Sequence, residues 1–146
     1  MNITGGEPFV NPDFLNILAY AKQKPSLTQL AVVSNGSIPL QIYLKATKYL
    51  TNITISLHLE QPQQVTDRTL DTIIELNRAE GLFLNVNLMA FPGRLNQIKT
   101  IAKHFTKHNV NFVTRLIEPP FEDTDNRVKK GDTQAIKKIT ETFMPD

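Results

Sequence analysis

The sequence predicts an α/β protein, namely a partial, TIM-like (β/α) barrel whose parallel sheet is built from about five βα units. Five short β-rich runs alternate with helical patterns, at intervals of 29, 23, 31 and 27 residues between their centres, which is the period of a βα unit. The centres of these runs are Ile3, Val32, Ile55, Val86 and Val113. We expect a single domain over residues 1–146, shorter than the ~250 residues of a complete barrel.

Glycine and capping residues mark the ends of elements in the first part of the chain. The first strand stops at two glycines, and a helix is predicted over about 12–22 with Asn11 as its N-cap. The second strand is predicted at about 30–33. Ser37 then has the position of an N-cap for a helix that continues to about Leu50.

The same alternation continues to the end of the chain. The later predicted strands span about 53–59, 82–90 and 111–117. The later predicted helices span about 66–80, 95–108 and 133–143. Pro-rich or Gly-containing turns separate them, so each strand has its own crossover helix and the strands are expected to run parallel.

The pattern within the strands distinguishes between two α/β architectures. In a doubly wound, flavodoxin-like sheet the central strands are covered on both faces and are apolar throughout. Here Thr54, Ser56 and His58 alternate with apolar residues in the third strand, and Asn85 and Asn87 do so in the fourth. One polar face and one apolar face are typical of a barrel wall around a wet lumen, so we favour the barrel over the flavodoxin-like sheet.

Composition excludes several classes of function. The formal charge is only +2 and the 16 Lys and Arg residues are scattered, so no nucleic-acid partner is expected. No apolar run approaches 18 residues and no secretory leader is seen, so we expect a cytoplasmic protein with no membrane partner. The chain has no cysteine, which excludes thiol nucleophiles and Cys-ligated metals within it. His104 and His108 have metal-ligand spacing, but the lysines beside them favour a solvated helix face, and no metal site is predicted.

The stretch Thr4-Gly5-Gly6-Glu7-Pro8 is the most informative part of the sequence. Two adjacent glycines let the backbone approach a ligand closely, and they offer N–H and C=O groups that no side chain shields. Placed at the end of a strand, this stretch resembles the GGEP motif of the radical S-adenosylmethionine (radical SAM) enzymes. The resemblance implies that the backbone here holds the amino group of the methionine part of S-adenosylmethionine.

The resemblance extends over about residues 1–117. Ser34-Asn35-Gly36 is similar to the TNG-type end of the family's third strand, Ser56-Leu57-His58 to the end of its fourth, and Asn87–Gly93 to the N-x-x-x-x-PG region of its fifth. Arg115 lies within the last predicted strand, where its guanidinium needs an anion, and it is expected to contact the cofactor. With it, the expected cofactor-binding residues are Gly5, Gly6, Glu7, Pro8, Ser34, Asn35, Ser56, Asn87 and Arg115. The residues expected to contact substrate are His58 and Glu118.

The family's CxxxCxxC loop, whose thiolates bind a [4Fe-4S] cluster, has no counterpart in this chain. The resemblance therefore predicts a fragment: the first strand and the cluster loop would lie upstream, the 146 residues alone would be inactive, and the Ile3 edge would be unpaired and prone to self-association. In the complete enzyme the cluster would cleave S-adenosylmethionine to a 5′-deoxyadenosyl radical that acts on a small-molecule or peptide substrate of unknown identity.

Two other functions are compatible with the sequence. The chain could be a catalytically inactive binding or assembly module that keeps the barrel wall without the chemistry. It could also be an unrelated barrel enzyme acting on an anionic small molecule, with Arg115 and the two glycines as anion sites.

Overall fold

Five strands and five helices alternate along the chain in a computed structural model that describes residues 1–90, 93–117 and 130–143. The strands are β1 (Asn2–Ile3), β2 (Ala31–Ser34), β3 (Asn52–His58), β4 (Phe83–Ala90) and β5 (Phe112–Leu116). The helices are α1 (Phe14–Lys22), α2 (Leu40–Thr47), α3 (Gln63–Leu76), α4 (Leu95–Lys107) and α5 (Lys130–Phe143). A short 3-10 helix, Pro8–Val10, precedes α1.

The strands form one parallel sheet in the order β1-β2-β3-β4-β5. Neighbours in the sheet are thus neighbours in sequence, and the described strands show no reversal of order. Doubly wound sheets require such a reversal, so the flavodoxin-like alternative does not fit this part of the chain. The sheet is open, with β1 and β5 as the edges of the described part.

One face of the sheet carries the hydrophobic core. Right-handed crossovers between sequential strands place all the connecting helices on the same face. The residues of β3 and β4 that face the helices are at most 4 % exposed, and they belong to one cluster with the buried residues of the helices. These strand residues are Ile53, Ile55, Leu57, Leu84, Val86, Leu88 and Ala90.

The opposite face of the sheet is polar and half-buried. Along β3 each buried residue is followed by a half-buried one, and the same alternation holds in β4 after the exposed Phe83. The polar positions of this face are Asn52, Thr54, Ser56, His58, Asn85 and Asn87. The alternation seen in the sequence therefore corresponds to one helix-covered and one helix-free face.

Several helix starts differ from the sequence-based prediction. α2 begins at Leu40 with Pro39 at its cap position, so Ser37 as N-cap is wrong. The reason is local, since the Ser37 backbone N–H donates to Asn35 Oδ1 at 2.9 Å and that turn delays the helix. Asn11 likewise accepts from the backbone N–H of Asp13 (3.0 Å) rather than capping α1. α3 begins at Gln63, three residues earlier than predicted.

Among the described helices, none is both long and apolar enough to cross a membrane.

Candidate functional site

The loops that follow the strands meet at one edge of the sheet. Because all five strands are parallel, their carboxyl ends lie on the same side, which is where ligands bind in both barrels and open α/β sheets. The two glycines follow β1, Asn35 follows β2, and Glu60 follows β3. Gly93 and Arg94 follow β4. Most of the residues for which a role was predicted therefore lie at or near the carboxyl edge of the sheet.

Gly5 and Gly6 form an open backbone surface after β1. Their φ angles are +105° and +53°, values that L side chains rarely adopt, so this turn requires glycine at both positions. A Cβ at either position would meet no heavy atom within 4 Å. Neither glycine forms a backbone hydrogen bond to any other residue in the described ranges. Their amide and carbonyl groups are thus available to a ligand.

Glu7 fastens this glycine turn to the end of β2. Its Oε2 accepts from the Ser34 hydroxyl at 2.8 Å and from the Asn35 backbone N–H at 2.7 Å. Its Oε1 accepts from the Phe9 backbone N–H at 3.2 Å, at the start of the 3-10 helix that Pro8 opens. A carboxylate that accepts three hydrogen bonds is well satisfied. Glu7 therefore positions the turn, and the groups left free to meet a ligand are those of the glycines.

Ser34 and Tyr43 continue this network into the core. The Ser34 hydroxyl lies 2.6 Å from the Tyr43 hydroxyl, and both residues are at most 2 % exposed. Since the single hydroxyl proton of Ser34 goes to Glu7, the Tyr43 hydroxyl donates to Ser34 Oγ. Burial raises the pKa of Tyr43 to about 12, and the Glu7 carboxylate acts in the same direction. The hydrogen bond with Ser34 opposes this rise and is the weaker effect.

Gly36 brings the β2 loop into close contact with α3. Its φ is +75°, and an added Cβ would lie 2.5 Å from Thr69 Cγ2 and 3.1 Å from Ile55 Cγ2. The Gly36 carbonyl also accepts from the Thr69 hydroxyl at 3.5 Å. Only glycine fits here, so the loop that carries Asn35 is fixed on both sides, by Glu7 and by α3.

Polar side chains from β3, β4 and β5 share the helix-free face. Ser56 is in register with Asn87, and His58 is in register with Met89, which in turn is in register with Arg115. Because neighbouring strands lie ~4.8 Å apart, the Cα atoms of His58 and Arg115 are roughly 10 Å apart. Arg115 is exposed and has no ion-pair partner among the described residues. An anion bound on this face would find one free guanidinium.

A small cleft lies between the ends of β2 and β3. It has a volume of about 290 Å³ and is lined by Asn35, Ser37, His58, Glu60, Gln61 and Val65. His58 Nδ1 lies 2.7 Å from Glu60 Oε1. Arg94, the residue before α4, donates to the carbonyl of Leu59 and so links the start of α4 to the residue next to Glu60.

The structure groups the predicted site residues into two sets. Gly5, Gly6, Glu7, Pro8, Ser34 and Asn35 form one hydrogen-bonded unit or lie beside it. Ser56, Asn87, His58 and Arg115 share the helix-free face. Glu118 lies outside the described residues.

Three residues of this edge were missed by sequence reasoning: Tyr43, Glu60 and Arg94. Tyr43 resembles any aromatic residue of a helix core, and its role depends on a contact nine residues away. The role of Glu60 could have been predicted from the sequence, because a carboxylate two residues after a strand-end histidine is within reach of the ring. The role of Arg94 could not have been predicted, because its partner is a backbone carbonyl 35 residues away in the sequence.

The histidine pair at the C-terminal end of α4, His104 and the cap residue His108, lies away from this edge. The rings of His104 and His108 are 4.6 Å apart between centroids. Partial burial, followed by the nearby His104, Lys107 and Arg78, lowers the pKa of His108. No group of three or more His, Cys, Asp or Glu residues able to hold a metal occurs in ranges 1–90, 93–117 and 130–143.

The site fits part of what the family resemblance implies. Two unshielded glycines with unpaired backbone groups suit the close approach of an amino-acid ammonium, and an exposed arginine suits a carboxylate. An iron–sulfur cluster does not fit, because the chain contains no thiol. No protein-family model matches this sequence, and no curated protein matches it significantly.

Proposed function

We propose that this chain is the S-adenosylmethionine-binding wall of a radical SAM-type partial barrel. The observation that carries the proposal is the glycine turn. Gly5 and Gly6 follow the first strand at the carboxyl edge of a sequentially ordered parallel sheet, and their backbone groups have no partner in the part of the chain that the structure describes. The sequential order and the polar helix-free face also support a barrel wall, whose lumen would lie on that face.

In this proposal the carbonyls of the glycine turn accept the ammonium of the methionine part, and Arg115 or Ser56 binds its carboxylate. Glu7 holds the turn through Ser34 and Asn35 and is not free to face the ligand. S-adenosylmethionine supplies a 5′-deoxyadenosyl radical when an iron–sulfur cluster reduces it. Thiolates for such a cluster would have to come from outside these 146 residues, so the function proposed for the chain itself is cofactor binding.

A second candidate is a barrel-derived module that binds an anionic small molecule without radical chemistry. Two observations favour it: the absence of cysteine, and an exposed Arg115 that pairs with no carboxylate in the described part of the chain. The two candidates differ in their ligand, so one binding experiment separates them.

Calorimetric titration with S-adenosylmethionine tests the proposal. Without a cluster only polar and stacking contacts remain, and we expect a Kd of ~0.1 to ~1 mM. Gly6→Val fills the space that the ligand needs and abolishes binding. Gly81→Val is its matched control, because Gly81 also has positive φ and open surroundings but precedes β4 at the opposite edge. Arg115→Met weakens binding ~10- to 100-fold if a charge-assisted hydrogen bond is lost.

Equal binding of S-adenosylmethionine by the wild type, Gly6→Val and Arg115→Met would contradict the cofactor assignment. Absence of binding at several millimolar, with glucose 6-phosphate bound well and lost in Arg115→Met, would favour the anion-binding module instead.

A further inference from the structure

His58 and Glu60 form a hydrogen-bonded pair at the carboxyl end of β3. The distance from His58 Nδ1 to Glu60 Oε1 is 2.7 Å, and the side chains are 32 % and 37 % exposed. The pair is therefore both well formed and open to solvent. The network of Glu7, Ser34 and Tyr43 does not include it, and S-adenosylmethionine binding as proposed above does not require it.

The pairing determines which nitrogen of the ring carries the proton. An ionised carboxylate only accepts hydrogen bonds, so Nδ1 must be the donor. In the neutral ring Nε2 then has the lone pair. No hydrogen bond to Nε2 comes from the described residues. In the neutral ring the hydrogen bond to Glu60 thus leaves Nε2 without a proton and without a partner among the described residues, the arrangement in which a histidine acts as a general base.

The residues that line the cleft around this pair include hydrogen-bond acceptors and no Lys or Arg. The other lining residues are Asn35, Ser37, Gln61 and Val65. The Asn35 side-chain oxygen and Glu7 already fix the loop on the β2 side. With neutral His58 the lining residues carry the single negative charge of Glu60, and the nearby Arg94 guanidinium, which is not one of them, donates to the Leu59 carbonyl. An anion is disfavoured there, and a cation that donates hydrogen bonds is favoured.

We propose that this cleft is a proton-accepting site for the primary ammonium group of a small ligand, with His58 as the base and Glu60 as a positioning residue. The proton passes from the ligand nitrogen to His58 Nε2, so that one N–H bond breaks and another forms. The electron pair stays on the ligand nitrogen, which becomes a neutral, nucleophilic amine. The imidazolium produced is stabilised by the Glu60 carboxylate beside Nδ1.

The tautomer of His58 tests the role of Glu60. Long-range ¹H–¹⁵N correlation spectra, recorded at a pH at which the rings are neutral, should show the Nδ1–H tautomer for His58. In Glu60→Ala the ring should return to the Nε2–H tautomer that a free imidazole side chain prefers. Glu75→Ala is the matched control, because Glu75 of α3 pairs with Arg78, just beyond the end of that helix, and is absent from the cleft lining. An Nε2–H tautomer for His58 in the wild type would overturn the proposal.

Three hexoses that share one scaffold test the ligand class. Glucosamine, glucose and glucose 6-phosphate are titrated into the full 146-residue chain while the amide signals of Asn35 and Gln61 are followed. We expect glucosamine to bind at least ~10-fold more tightly than glucose, and glucose 6-phosphate not to perturb these two signals. Glu60→Ala and His58→Ala should each remove the preference for glucosamine, with unchanged circular dichroism showing that the fold is intact.

Equal affinity for glucosamine and glucose at these signals would contradict the ammonium assignment. Preferential binding of glucose 6-phosphate at these signals would show that the cleft binds an anion and would overturn the proposal. Neither result depends on S-adenosylmethionine, so failure here and failure of the cofactor proposal are separate outcomes.

Discussion

The carboxylate of Glu7 accepts a 2.8 Å hydrogen bond from the hydroxyl of Ser34, 27 residues further along the chain. This bond joins the glycine turn after β1 to the end of β2, two loops that otherwise belong to separate βα units. A turn built on two glycines has a large conformational entropy to lose. The Glu7 anchor offsets that cost and keeps the exposed backbone of Gly5 and Gly6 in one arrangement, as a binding surface requires.

Removing the charge of Glu7 should destabilise the protein and loosen this turn. Glu7→Gln weakens two hydrogen bonds from Ser34 and Asn35 that are charge-assisted, and we expect a loss of about 1.5 to 3 kcal/mol in the free energy of unfolding. Urea denaturation measures it. Asp13→Asn removes a carboxylate that makes no side-chain cap bond and should change stability by less than about 0.5 kcal/mol. Equal effects of the two substitutions would show that the anchor contributes nothing.

The raised pKa of Tyr43 predicts that the protein loses stability in alkaline solution. Its pKa is about 12 in the folded protein and 10.0 as the ordinary value, so the folded state holds the phenol proton more tightly. The resulting stability is fully present below about pH 10 and is lost as the pH rises from about 10 to about 12. Its size is roughly 2 to 3 kcal/mol.

Urea denaturation of Tyr43→Phe across this pH range isolates the effect. The variant should be less stable than the wild type at pH 7 by about 1 kcal/mol, because Ser34 Oγ loses the Tyr43 donor and keeps only the Gly36 N–H. It should also lack the component of stability that disappears between about pH 10 and about pH 12. Tyr20→Phe is the control, since Tyr20 is 62 % exposed. A pH dependence that is identical in the wild type and Tyr43→Phe would contradict the assignment.

Comparing alanine substitutions at Gly36 and Gly81 distinguishes the cost of backbone strain from the cost of steric overlap. Both have positive φ, +75° and +72°, but an added Cβ meets Thr69 at 2.5 Å in the first case and nothing within 4 Å in the second. Gly81→Ala should cost about 1 to 2 kcal/mol through conformation alone. Gly36→Ala should cost a further ~1 to 3 kcal/mol from overpacking, as measured by thermal or urea unfolding.

A double variant checks the source of the extra cost at Gly36. Thr69→Ser removes the Cγ2 atom that the new Cβ would meet and keeps the hydroxyl that bonds to Val65. In the Thr69→Ser background Gly36→Ala should therefore cost less than in the wild type. If Gly36→Ala and Gly81→Ala cost the same in the wild-type background, the close contact with α3 is not limiting.

The sheet was predictable because its signal is local. The polar and apolar alternation around Ile55 and Val86 is a period-2 pattern within single strands, and the structure confirms both an α/β fold and a five-stranded parallel sheet. Closure of this sheet into a barrel stays a prediction. The helix starts failed where short side-chain turns at Asn11 and Asn35 satisfied the backbone N–H groups that a cap would otherwise take.

The site was predictable only in part, for a physical reason. The glycine turn is a contiguous motif, and its backbone conformation can be inferred from residue type. The division of roles within it cannot, because Glu7 makes bonds to residues 27 and 28 positions away. Ser34 looked like a strand-end ligand contact, but it is 2 % exposed and its hydroxyl is engaged by Glu7 and Tyr43. Its direct contact with a ligand stays untested.

The outer edge of β1 predicts concentration-dependent self-association of the 146-residue chain. β1 pairs only with β2 among the described strands. The amino group of Met1 donates to the Gln29 carbonyl and the Met1 carbonyl accepts from Ala31, so the backbone groups of Met1 face β2. Successive residues alternate in direction, so those of Asn2 face outward and can pair with another strand.

Sedimentation velocity over a range of concentrations measures this association. We expect the weight-average sedimentation coefficient of the wild type to rise with concentration, and Asn2→Lys to suppress the rise because a charge on an edge strand opposes pairing. Asn16→Lys adds the same charge at an exposed position of α1 and should leave the association unchanged. Equal suppression by both variants would assign the effect to net charge, and a wild type that stays monomeric at millimolar concentration would show that the β1 edge is not adhesive.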